Sequence, residues 1–155
     1  MYDQLVALIT QFYPQDESRG VFLTCMNSKA VIDSVWVMSS DKPWIQTLGK
    51  IYHSISRSPT PITTMICDIV VDIQEIKDYE TPEQLWEILS KLPHEEYGLV
   101  LLTQDGTVLA ALLPNTTGVQ NLQQGVHYIT QKHSLTGMVN LFTITTDRKI
   151  VSTAR

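Results

Sequence analysis

The chain has 155 residues, 43% of them hydrophobic, and eleven Lys and Arg against sixteen Asp and Glu give a net charge of -5. That length and apolar content suit one domain spanning 1–155 with a core that needs no disulfide staples. The acidic balance is the wrong sign for attracting phosphate backbones, so nucleic acid is set aside as a partner.

The opening "MYDQLVALITQFY" has no basic leader and its apolar residues are spaced, so no signal peptide is expected and the expected location is cytoplasmic. Leu5, Leu8, Ile9 and Phe12 fall on one helical face, Asp3 suits the positive helix start, and Pro14 stops the pattern. "GVFLTCMN" and "AVIDSVWVM" then read as two strands joined at Ser28 and Lys29. Asp41 is the expected cap of a helix with Pro43 in its first turn and a stripe of Trp44, Leu48, Ile51 and Ile55, ended by Pro59 and Pro61. In "TTMICDIVVDIQEI", Met65, Cys67, Ile69, Val71 and Ile73 alternate with a polar set, predicting a strand with one buried face and a solvated one. Asp68 and Asp72 on that polar face stand about 13 Å apart at the usual rise, too far for a glycosidase pair.

Thr81 and Gln84 have capping-box spacing around Pro82, and Pro93 closes the helix they begin. "GLVLLTQDGTVLAALLP" is interrupted at its centre by polar residues, which excludes a membrane span. Two Val- and Leu-rich runs flank Asp105-Gly106, the pattern of a hairpin on a type I′ turn with both strands buried on two faces. A helix aligning Leu122, Val126 and Ile129 follows, Gly137 is its stop signal, and "MVNLFTIT" alternates as a last strand before a tail, 148–155, expected to be mobile. The order helix, hairpin, helix, strand thus occurs twice, in pseudo-repeat halves of about 1–78 and 79–147. "DQLVALI" resembles "EQLWEIL" and "GVFLT" resembles "GLVLLT", about eighty positions apart. Two such copies sharing one mixed or antiparallel sheet make an α+β fold.

With that element order, "GVFLT" at Gly20, "GLVLLTQDGTVLAALLPNT" at Gly98 and the closing "LFTIT" resemble the AMMECR-type domain family over nearly the whole chain. The likeness is most specific at Leu112, Leu113 and Pro114, where a hydrophobic hairpin ends before a helix. The family carries a Leu-Arg-Gly-Cys-Ile-Gly motif on the strand that here reads "VIDSVW". Val31 and Val35 keep apolar positions, while Ile32 stands for the Arg, Asp33 for the first Gly, Ser34 for the Cys and Trp36 for the second Gly. The resemblance implies an α+β domain with no established reaction, associated with a Memo-like protein and a radical-SAM enzyme, in a divergent branch whose site is changed or lost.

Asp33 and Ser34 are the weak catalytic candidates. Strand alternation sends Ser34 and Trp36 to one face and Asp33 to the other, so the carboxylate is no base for the hydroxyl. His53, His94, His127 and His133 lack ligand spacing, His53 and His94 read as solvent-facing, and no metal or other cofactor is expected. Cys25 and Cys67 belong to no C-x-x-C pair and read as buried thiols. Seven scattered glycines make no phosphate loop. The main expectation is therefore a non-catalytic interaction module with a protein partner such as a modifying enzyme. The rival is an enzyme or small-ligand binder with a cleft near Ser34, Trp36 and Thr117, and a homo-oligomer formed through strand edges is a third reading.

Overall fold

The computed structural model describes residues 1–28, 30–103, 105, 108–133 and 139–153, without the side chains of 108, 109, 132, 133 and 139. Its elements are α1 (Tyr2–Thr10), β1 (Val21–Asn27), β2 (Ala30–Val37), α2 (Trp44–Ile55), β3 (Thr64–Glu75), α3 (Pro82–Ser90), β4 (Gly98–Thr103), β5 (Val108–Leu112), α4 (Leu122–His133) and β6 (Val139–Ser152). Helix, hairpin, helix, strand is realised twice. The six strands form an antiparallel sheet in the order β2-β1-β3-β6-β4-β5, an α+β architecture. The expected turn residues Lys29 and Gly106 and the helix stop Gly137 lie outside the described residues.

Contacts divide the chain into two compact units, Met1–Val70 with Asp147–Arg155, and Val71–Thr146. In the first, α1 and α2 pack on one face of β2, β1, β3 and the end of β6. Leu5, Ile9, Val21, Leu23, Cys25, Leu48, Cys67 and Ile69 are fully buried there. Trp44 anchors this core: its indole N–H donates to the Pro14 carbonyl at 2.8 Å and its backbone N–H to the Glu17 carbonyl at 2.8 Å. That second bond explains why Asp41 is not the cap of α2. The first orphan N–H of the helix is already satisfied by main chain, and Pro43 occupies the N-cap in an extended conformation. In the second unit, α3 and α4 cover Leu99, Leu101, Ala110, Leu112 and Leu141. Both bonds of the capping box at Thr81 and Gln84 are formed.

Several expectations are corrected. Phe12 lies beyond the last turn of α1 and is 58% exposed, its ring instead receiving the Lys149 ammonium at 3.7 Å. Val71 is 51% exposed, because the buried face of β3 in the first unit ends at Ile69. Of the second hairpin, β4 is buried on both faces over Gly98–Leu101, whereas β5 is an edge strand with Ala111 partly exposed. The tail expected from residue 148 is strand as far as Ser152. Val151 packs on the first core, Lys149 pairs with Asp147 at 3.0 Å, and the Thr153 N–H donates to the Thr63 carbonyl.

The two hairpins share a steric constraint. A Cβ added at Gly20 would stand 2.0 Å from the Met38 carbonyl oxygen and 2.7 Å from Val70 Cγ2. At Gly98 it would stand 2.1 Å from the Leu112 carbonyl oxygen and 2.9 Å from Ile144 Cγ2. In each unit the glycine admits the return strand on one side and a β-branched residue of the third strand on the other. Gly20→Ala and Gly98→Ala should each lower stability by about 1–3 kcal/mol, the range for overpacking a filled interior, read as a drop in urea midpoint. Unchanged midpoints would mean that the backbones can separate at no cost.

Candidate functional site

Alternation along β1 sends Val21, Leu23 and Cys25 toward the helices of the first unit, and Phe22, Thr24 and Met26 toward the opposite, helix-free face. The register sets Phe22 between Trp36 and Asp68, and Thr24 between Ser34 and Ile66. Two rows of side chains therefore cross this face. In the first, the Trp36 ring stacks on Phe22 with centroids 6.0 Å apart and planes 19° from parallel, and Asp68 follows. In the second, the Thr24 and Ser34 hydroxyls are 2.8 Å apart.

Asp68 is only 1% exposed. A carboxylate so placed needs a countercharge, and Arg148 supplies it from β6, its Nε donating to Oδ1 at 3.0 Å and to Oδ2 at 3.2 Å. This corrects the solvated reading of Asp68. Asp72 is exposed, its Oδ2 accepting from the Gln74 amide at 2.8 Å. The Thr64 and Ser152 hydroxyls meet at 3.1 Å, so Ile150 lies between the Arg148 and Ser152 contacts, beside Ile66.

A bulge finishes the face. Cys25 pairs with Asp33 and Met26 with Val31, leaving Ile32 as the extra residue of β2. Without the bulge, Val31 would share the Asp33 and Val35 side of the strand; with it, Val31 joins Met26 on the helix-free face at 59% exposure. Ile150 is 53% exposed. Half-buried Trp36, Met26 and Ile66 add apolar area to this face, interrupted by the Asp68–Arg148 pair and by the Thr24–Ser34 and Thr64–Ser152 hydroxyl pairs.

Asp33 and Ser34 form no acid–base pair. The Asp33 Oδ1 accepts from the backbone N–H of Ser34 at 2.8 Å, while the Ser34 hydroxyl is engaged with Thr24. Thr117 belongs to the second unit, exposed on the connection between β5 and α4. Ser34 and Trp36 thus share a face of the first unit, with Asp33 on the other side of the strand. His53 is exposed, with its Nε2 3.2 Å from the Arg57 guanidinium; His94 is half-buried against Glu95, correcting its solvent-facing reading. His127 lies against Trp86 with centroids 5.8 Å apart. Arg148 and Phe22 were missed from sequence, although an Asp amid Ile66, Cys67, Ile69 and Val70 signals that a distant cation is required.

Cys25 and Cys67 are free and buried. Burial, then the Asp33 charge, pushes the Cys25 thiol from 9.0 up to about 11, and burial raises Cys67 further. Burial and the hydrogen bond to Asp147 push Tyr13 from 10.0 up to about 12. These groups hold protons in the folded state that the unfolded chain releases earlier. Their stabilisation is complete below pH 9 and is lost as pH rises through 11 and then 12. No protein-family model matches the chain, and neither does any curated protein.

The urea midpoint should therefore fall steadily above pH 9, with a shallower fall in Tyr13→Phe between pH 10 and 12. Arg148→Met strands a buried carboxylate and should cost on the order of 3 kcal/mol, whereas Ser34→Ala at an exposed position should stay within about 0.5 kcal/mol of wild type. Equal losses from these two substitutions would contradict the ranking of the ion pair over the hydroxyl pair.

Proposed function

We propose that the chain is a cytoplasmic, non-catalytic protein-interaction module that contacts its partner through the helix-free face of the first unit. The observation that carries this reading is the exposure of Val31 and Ile150 on the same face of the sheet as half-buried Trp36. Exposed apolar side chains of this size gain more from a protein surface than from water. The chemistry at the same place points the same way, since the Ser34 hydroxyl is paired with the Thr24 hydroxyl while the Asp33 carboxylate accepts from the Ser34 backbone N–H. No helix among the described residues is long and apolar enough to cross a membrane.

The AMMECR-type likeness of the Gly20, Gly98 and Leu112-Leu113-Pro114 stretches adds a class of partner, a modifying enzyme of the radical-SAM kind. In that setting the substituted "VIDSVW" stretch contributes shape in place of a reactive thiol. A cleft for a small substrate near Ser34, Trp36 and Thr117 has less support, because Ser34 and Trp36 are engaged with Thr24 and Phe22.

Tagged chain incubated with lysate of its source cells should retain a protein that is lost from Val31→Lys and Trp36→Ala, with native mass spectrometry separating a foreign partner from a second copy. Val31 is the cleaner probe, since its side chain is mostly solvated and the substitution should leave the unfolding midpoint in place. Retention unaffected by either change would rule this face out.

A further inference from the structure

We draw no further inference here: the strongest candidate, the buried sulfur cluster of Cys25, Met65 and Cys67 on the helix side of β1 and β3, belongs to the packed core, and the register sets Cys25 opposite Met65 but Cys67 opposite Leu23, so nothing in the structure brings the two thiols onto one ligand.

Discussion

A carboxylate buried in the middle of an apolar strand is the constraint on which the first unit depends. Asp68 cannot be left alone among Ile66, Cys67, Ile69 and Val70, because an unpaired charge there costs far more than any neighbouring contact returns. Its countercharge is 80 positions away in sequence, on Arg148. The requirement makes the last strand part of the first unit, and the alternation of β6 does the rest. With Arg148 on the helix-free face, Val151 reaches the core, and Asp147 and Lys149 reach Tyr13 and Phe12 near the end of α1. One ion pair thereby sets which residues of β6 face which layer.

Local signals in the sequence are those whose physics is local. The Trp44 stripe, the capping box at Thr81 and Gln84, the paired hairpins and the repeated element order each depend on residues within a few turns of one another, and the structure has them all. Errors cluster where a distant partner decides. Lys149 reads as part of a loose tail because its partner Phe12 belongs to the opposite end of the chain. Asp41 reads as a helix cap because the competing acceptor, the Glu17 carbonyl, belongs to a loop whose path no periodicity reports. Asp68 reads as solvated because alternation assigns a face and is silent about what lies on it.

The candidate site shows the same division. The position of Ser34 and Trp36 on one face follows from the period of a strand and was legible. The presence of Val31 on that face was not, since it results from a bulge at Ile32 that shifts the pairing by one residue. That single irregularity converts a strand expected to alternate cleanly into one that concentrates apolar side chains at its start. It also breaks the ladder of an edge strand, which lowers the tendency of that edge to recruit another strand indiscriminately. The Trp36 and Phe22 stack lies on the same face as Val31, two side-chain rows along the strands.

The division of β6 between the two units has a consequence for synthesis on the ribosome. The second unit is continuous in sequence, Val71–Thr146, and all of its strands are in place once that stretch has been made. The first unit begins earlier and finishes later, because Asp147–Ser152 must emerge before its sheet is complete. During that interval a nascent chain carries an open strand position with the carboxylate of Asp68 beside it. The residues of α1 and β1 are thus among the last to reach their final environment, and a chain truncated before Arg148 would hold a second unit joined to a first unit that still lacks its closing strand.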